Sequence, residues 1–384
     1  LSGDYPRSRP LTALLLFILV ALALAPFLFP GTRPLDVAAK VCVYILLVAS
    51  YDLLLGYTGI VSFAHTMFFG IGGYGVAIPL AVFGASFGWA IVGTLLAVVL
   101  SVVLAVLIGL FSLRVKAIFF AMITLAVASA FAVLASQLSS LTGGEEGLNY
   151  ALPNVLSPAF RLFHHRLFGV AVSGRVLCYY LVFALALVLF LVLLRVVNSP
   201  FGRVLQAIRE NGFRAEALGY RTVVYRSIAS GIAAGAATLA GALLALWLGY
   251  NGPETTLSFD IMIDILLMVV IGGMGTLYGS VVGAALFIVA ETYLQDLMRV
   301  MSDATAGTSY TQSFYSNLGT LFGSGTTSGT AYVGFTGATG GQYAQQQVSN
   351  FSFTGQAATV NTANPAPIAV SGFNVSAVLS TAGQ

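Results

Sequence analysis

The sequence predicts an all-α, polytopic helical membrane protein of about nine hydrophobic spans, some of them broken or re-entrant, followed by an irregular low-complexity C-terminal tail. Three observations predict it. Of 384 residues, 58% are apolar and only 8% are charged, where a soluble domain carries about 25%. The mean hydropathy is +0.94. The apolar residues fall in long runs separated by glycine, proline and short charged stretches. Twenty-nine charged side chains are too few to solvate an ordinary globular surface of this size, and a disordered chain needs the opposite balance, high charge with low hydrophobicity. A net charge of +3 excludes the dense basic face that nucleic-acid binding requires. Cys42 and Cys178 lie far apart in apolar runs, so they read as packing residues rather than a disulfide framework or metal site.

The first apolar run is residues 11–29. At about 1.5 Å per residue it reaches ~28 Å, enough to cross a hydrocarbon core. Arg7 and Arg9 before it, and Ala23-Leu24-Ala25 within it, also fit a secretory signal peptide. Its length, and the spans that follow at once, favour a retained helix. Further spans are expected at 37–55, 59–83, 87–110, 117–135, 176–194, 227–248, 259–271 and 278–297. Two of these are irregular. Span 59–83 carries Gly70, Gly72, Gly73 and Gly75, and the short span 259–271 runs into Gly272, Gly273 and Gly275. The glycines read as helix-packing or bending devices, and broken segments are tolerated only when buried in protein or lining a wet cavity.

Basic residues set the orientation. With the N-terminus cytoplasmic, ten fall inside: Arg7, Arg9, Arg114, Lys116, Arg195, Arg203, Arg209, Arg214, Arg221 and Arg226. Six fall outside: Arg33, Lys40, Arg161, Arg166, Arg175 and Arg299. Residues 195–226 are then a cytoplasmic loop and residues 136–175 an outer loop of a transmembrane domain covering 1–302. Residues 303–384 form a separate tail. From 304 onward there is no Asp, Glu, Lys or Arg, and Gly, Ser and Thr make up 35 of 81 residues. That composition reads as disorder, or as weak β-structure around 332–335 and 351–353. By helix parity the tail lies outside.

Bond-making chemistry has no motif to carry it. Lys40 and Lys116 are the lysines, and neither follows a Gly-x-x-x-x-Gly run, so there is no phosphate loop. No His-Glu-x-x-His or Gly-x-Ser-x-Gly occurs, and adjacent His164 and His165 point to different helix faces. The chain reads as a non-enzyme that binds no metal and no cofactor directly. The informative segment is 198–226. Ser199 and Pro200 suit a helix start. Phe201, Val204, Leu205 and Ile208 then fall on one stripe. Asn211-Gly212 is expected to end that helix, and a second one carries Phe213, Ala217 and Leu218 up to Gly219. The stripe fits either a loop tucked on the protein's own inner face or on lipid, or a docking element for a cytoplasmic partner.

Five stretches in order resemble the branched-chain amino-acid permease family of ATP-binding-cassette importers. They are LLLGYTGIVSFAH (53–65), FFGIGGYG (68–75), LTGGEEGL (141–148), FGRVLQAIRENGFRAEALG (201–219) and LLMVVIGGMGTLYGSVVGA (266–284), within residues 35 to 298. The fourth looks like the EAA-type coupling loop. LTGGEEGL and the sizeable outer loop look like the larger of the two permease subunits, although Ala64 stands where that subunit more often has Gly. The resemblance implies a subunit that moves a branched-chain or similar small amino acid inward across the bacterial cytoplasmic (inner) membrane. Its implied partners are the lipid bilayer, a second homologous permease, two cytoplasmic ATPase subunits that consume the ATP, and a periplasmic solute-binding protein. The implied coupling residues are Phe201, Gly202, Arg203, Leu205, Ile208, Arg209, Glu210, Glu216, Ala217 and Gly219. Closure of the ATPases would move the docked helix and switch the attached spans between two packings. Near 302 the resemblance ends, where the family usually continues with a last apolar helix and a basic cytoplasmic end. An importer permease for urea, amides or a sugar, or a stand-alone secondary transporter, are the alternatives.

Polar side chains within hydrocarbon need a reason, because an ionisable group at mid-helix costs about 2.5–3.5 kcal/mol. Asp52, Tyr57, Ser62, His65, Asp260 and Asp264 are the candidates for the translocation path. The bland readings are a structural ion-pair partner for Asp52 and a satisfied buried histidine for His65. Asp260 and Asp264 lie one turn apart on one helix face. Lys40 and Glu291 lie near helix ends. LGYTG (55–59) and LGYNG (248–252) hint at an internal duplication of the kind transporters use, with chance similarity of two glycine turns as the alternative.

Overall fold

The computed structural model describes residues 9–28, 31–112, 117–156 and 173–305, and the short strands at 358–360 and 368–370. Long apolar stretches form α1 (Arg9–Leu28), α2 (Thr32–Thr58), α3 (His65–Phe83), α4 (Phe87–Ser112) and α5 (Ala117–Gln137). A four-residue α6 (Ser139–Thr142), a 3₁₀ turn and strand β1 (Leu148–Asn149) follow. The chain then forms α7 (Gly174–Val197), α8 (Pro200–Ala217), α9 (Thr222–Leu248), β2 (Tyr250–Asn251), α10 (Pro253–Thr256), α11 (Phe259–Gly272) and α12 (Leu277–Thr305). Among the described residues, nine helical segments are long and apolar enough to cross a membrane, α10 and α11 counting as one. This is the all-α, polytopic architecture expected.

Boundaries depart where backbone chemistry intervenes. Gly59 takes the left-handed conformation at φ +72° and ends α2, a conformation that costs an L side chain about 1–2 kcal/mol. Residues 59–64 are therefore not helical, and the third span begins at His65 rather than 59. The short span at 259–271 gains length from α10, and the last helix runs to Thr305. His164, His165, Arg114, Lys116, Arg161 and Arg166 lie outside the described residues, as do the expected strands at 332–335 and 351–353.

The two 27-residue helices α2 and α9 form the centre of the bundle. Tyr51, Tyr57 and Phe69 are fully buried around them. Small residues allow the close approach. A Cβ at Gly72 of α3 would stand 1.8 Å from the Thr238 carbonyl oxygen of α9, and one at Gly241 would stand 1.9 Å from the Phe69 carbonyl oxygen. α1 is tied in through its proline. Pro26 has no N–H for the Leu22 carbonyl. The Tyr179 hydroxyl of α7 donates to that carbonyl at 2.5 Å, and the Tyr180 hydroxyl donates to Ala23 at 3.0 Å. At one end of the bundle β1 pairs antiparallel with β2, Leu148 opposite Asn251 and Asn149 opposite Tyr250. Tyr150 locks this strand pair to α9 by donating to the Ala245 carbonyl at 2.7 Å, and burial pushes its phenol above its ordinary range.

Residues 308–384 are a second unit. In it β3 (Ala358–Val360) pairs antiparallel with β4 (Ile368–Val370), with Thr359 opposite Ala369.

Candidate coupling connector and translocation cleft

The connector after α7 is built by local chemistry. Pro200 occupies the first helical position behind Ser199. Ser199 does not cap the helix as expected: its hydroxyl donates back to the Val196 carbonyl at 2.6 Å. A Cβ at Gly202 would stand 1.9 Å from the Val197 carbonyl oxygen, so the reversal between α7 and α8 needs glycine there. Asn211 breaks α8 at φ −155°, ψ 96°. The first helical segment ends there as expected, and Asn211 also opens the second, its side-chain oxygen accepting the Arg214 N–H at 2.9 Å. That segment ends in a Schellman motif. The Tyr220 N–H reaches Ala215 O and the Gly219 N–H reaches Glu216 O, with Gly219 at φ +92°.

The two faces of the connector have different fates. Leu205 and Ile208 are 0% and 1% exposed, and Phe201, half-buried, stacks on Tyr225 of α9 with ring centroids 5.7 Å apart. The stripe thus packs on the protein's own bundle. Phe213 and Leu218 on the second segment are 85% and 74% exposed. Arg203, Glu210, Arg214 and Ala217 are exposed beside them. Glu216 accepts a hydrogen bond from the Thr222 hydroxyl in the first turn of α9, where a carboxylate also meets the positive helix end. The second segment is therefore tethered to α9 and presents a small apolar knob.

Arg209 joins the connector to the bundle. Its guanidinium donates to the Gly56 carbonyl near the C-terminal end of α2. Asp52, 1% exposed, accepts the Gly275 N–H at 2.9 Å and so holds the turn between α11 and α12. A Cβ at Gly56 would stand 2.1 Å from Asp52 Oδ1, and one at Gly275 would stand 2.7 Å from Arg209 Nη1. Gly273 and Gly275 both carry positive φ in this turn, and a Cβ at Gly272 would meet the Gly279 carbonyl oxygen at 2.1 Å. Three segments distant in sequence converge here: the connector, the end of α2 and the α11–α12 turn.

The other polar candidates separate into two groups. Tyr57 and His65 are fully buried around α2, and Ser62 is buried in the link to α3. His65 Nε2 lies 2.8 Å from Ser50 Oγ, and its ring meets Tyr51 edge-on at 5.2 Å. Asp260 and Asp264 lie on α11, Asp260 exposed and Asp264 half-buried. The remaining glycines pack. A Cβ at Gly70 would stand 2.2 Å from Leu257 Cδ2, and one at Gly73 would stand 2.2 Å from Asn251 Oδ1.

Between α5, the start of α3 and the α10–α11 turn lies a cleft of about 350 Å³. Phe63 and Thr66 line it, with the Phe63 N–H held by Thr124 Oγ1 of α5 at 3.0 Å. Ser129, Glu254 and Ser258 contribute further polar groups. None of the six path candidates lines it. Its polar lining escaped the sequence reading because isolated hydroxyls in apolar helices read as packing. The available signal was Pro253-Glu254-Thr255-Thr256, a polar helix start directly after a glycine turn.

Comparisons with known proteins agree with this architecture. The family model for the branched-chain amino acid transport system permease component matches residues 33–316. The chain is 29% identical over 296 residues to the high-affinity branched-chain amino acid transport system permease protein LivM of Salmonella typhimurium, covering 74% of this chain and 68% of the relative. LivM of Escherichia coli K12 is likewise 29% identical over 297 residues, with the same coverage of both chains. LivH of Escherichia coli K12 is 25% identical over 256 residues, covering 65% of this chain and 80% of the relative. No solved structure matches the chain significantly.

Proposed function

Because this chain belongs to the family of branched-chain amino acid transport permease components, we propose that it carries a branched-chain or similar small amino acid inward across a bacterial cytoplasmic membrane. It is a multi-pass membrane permease subunit of an ATP-binding-cassette importer. In our reading it pairs with a second, homologous permease, one of two ATPases docks on its connector, and a periplasmic protein delivers the substrate. ATP is hydrolysed in those partner ATPases, and this chain supplies the path and the lever.

One observation carries the reading. The connector buries its first stripe on its own bundle and leaves Phe213 and Leu218 outward on a tethered second segment. An exposed aromatic-aliphatic pair on a rigid support suits a pocket in a partner. Arg209, at the end of the first segment just before the Asn211 break, passes a displacement of the connector to the end of α2 and, through Gly56 and Asp52, to the α11–α12 turn. Two long spans would then move with the ATPases. Asp260, exposed on α11, and Asp264, half-buried one turn on, line the path or the seam with the second permease, since carboxylates avoid lipid.

The test is ATP-driven uptake of labelled leucine by the full importer in proteoliposomes, with co-purification of the ATPases. Phe213→Asp with Leu218→Asp is expected to abolish ATPase co-purification and reduce uptake at least about tenfold, as for a central anchor pair. The bundle should unfold at an unchanged temperature, because neither side chain is buried. Uptake at the wild-type rate in the double variant, or ion-driven uptake by this chain alone, would overturn the proposal.

A further inference from the structure

A helix start buried without a cap leaves orphan amides, and α3 has such a start. It follows Ala64, which is 1% exposed and supplies no side-chain cap. The first helical bond at this end runs from the Phe68 N–H to the Ala64 carbonyl. The amides of His65, Thr66 and Met67 precede that bond, and these residues are 0%, 3% and 1% exposed. Buried amides need acceptors. Across the same cleft α11 meets this need with Ser258, whose hydroxyl oxygen accepts the Asp260 N–H at 3.1 Å. No described residue does so for α3.

Of these three residues, Thr66 opens onto the cleft. Thr66 is nearly fully buried and lines the cavity, and its hydroxyl makes no hydrogen bond with another described residue. Free amides, the positive end of a 19-residue helix and a spare hydroxyl together favour an anion. Glu254 lines the same cavity, is exposed, and offers a negative charge. The rest of the wall is apolar: Leu125, Ala128, Ala132, Val133, Leu257 and Phe259. Small-molecule sites are mostly apolar clefts of about 300–1,000 Å³ with a few convergent polar groups.

An anion seat, a cation seat and a hydrocarbon wall in one cavity define the ligand chemistry. We infer that this cleft binds an amino acid with an apolar side chain during its passage, its carboxylate on the α3 N-terminus at Thr66 and its ammonium on Glu254. The inference rests on the permease reading above and adds a seat within the membrane domain to it.

The test is binding of radiolabelled leucine to the purified full chain in detergent, with leucinamide and 4-methylpentanoate as competitors. The first lacks the carboxylate and the second lacks the ammonium. Wild-type chain is expected to bind leucine saturably and both competitors more weakly. Glu254→Gln, on an exposed side chain, should weaken leucine about tenfold and leave 4-methylpentanoate unchanged. Thr66→Val should weaken leucine and 4-methylpentanoate alike, and Thr66→Ser should restore both. Ala132→Phe, which fills the cavity, should remove all three. No saturable leucine binding by the wild-type chain, or equal leucine affinity in Glu254→Gln and Ala132→Phe variants that unfold at the wild-type temperature, would overturn the inference. ATP-driven uptake by the full importer separates the two readings. Uptake that persists in Ala132→Phe refutes the seat and keeps the permease, whereas absence of amino-acid uptake in the wild-type importer refutes the permease reading itself.

Discussion

Two junctions in this molecule begin from nearly the same five letters and end in different structures. Leu55–Gly59 and Leu248–Gly252 each stand at the C-terminal end of a central 27-residue helix. After α2 the helix continues through the pentapeptide. The Thr58 hydroxyl bonds back to the Leu54 carbonyl at 2.6 Å, and only Gly59 turns the chain. After α9 the helix stops three positions earlier, at Gly249, with φ +66°. There Tyr250 and Asn251 pair with β1, and Pro253 disfavours helix in the residue before it. The first junction becomes part of a mechanical knot with Arg209 and Gly275. The second leads to the rim of a cleft. The glycine turn is shared, and the residues just after it decide whether the turn faces a lever or a ligand.

The comparison breaks most completely at the packing between these halves. Gly72→Val would place a side chain where 1.8 Å separates a Cβ from the Thr238 carbonyl of α9. Backbone cannot yield as a flexible side chain does, so a loss of about 3 kcal/mol is expected, seen as a lower unfolding temperature in detergent and poor recovery of folded chain. Gly88→Ala is the control. Its Cβ would meet only Ser86 Oγ at 3.8 Å, and replacing a helical glycine is expected to stabilise by about 0.5 kcal/mol.

A smaller effect tests the knot at the first junction. Arg209→Ala removes a charged donor from the Gly56 carbonyl. The chain is expected to fold, and ATP-driven uptake is expected to fall about tenfold while ATP hydrolysis continues, because the lever has lost its link. Arg209→Lys should recover little of this, since a point charge does not reproduce the planar donor geometry. Gln206→Ala, on the same helix and exposed, should leave uptake unchanged. Equal uptake in Arg209→Ala and wild type would reduce the first junction to passive packing.

Legibility in the sequence follows the same division. The spans are legible because run length and composition are local properties. The connector is legible for the same reason: stripe, break and Gly219 turn all lie within nineteen residues, 201–219. The direction of the stripe was open in the sequence, and packing resolves it inward. The knot is not legible, because Arg209 and Gly56 are separated by 153 positions and Asp52 and Gly275 by 223. No spacing rule predicts which carbonyl an arginine will find. Likewise 59–64 is apolar enough to extend a helical run, and only the left-handed Gly59 shows that it does not. Thr66, Ser129 and Ser258 are single hydroxyls in three separate segments, so their convergence exists only in three dimensions.

The smallest effect sharpens the comparison most, because it exchanges the two helix starts. Ser258 caps α11, whereas α3 starts on uncapped Ala64. Ser258→Ala should cost about 1 kcal/mol and lower the unfolding temperature by a few degrees. Ala64→Ser adds one oxygen at a buried position just ahead of the orphan amides. If those amides lack an acceptor in the resting chain, the new hydroxyl should recover about 1 kcal/mol and raise the unfolding temperature by a similar amount. The same oxygen then competes for the amides that a carboxylate would use, so leucine binding should weaken as stability rises. Opposite signs in the two readouts are the signature of a helix start left open for a ligand. A gain in stability with unchanged leucine binding would show that the start of α3 was merely unfinished, and the two junctions would then differ in shape alone.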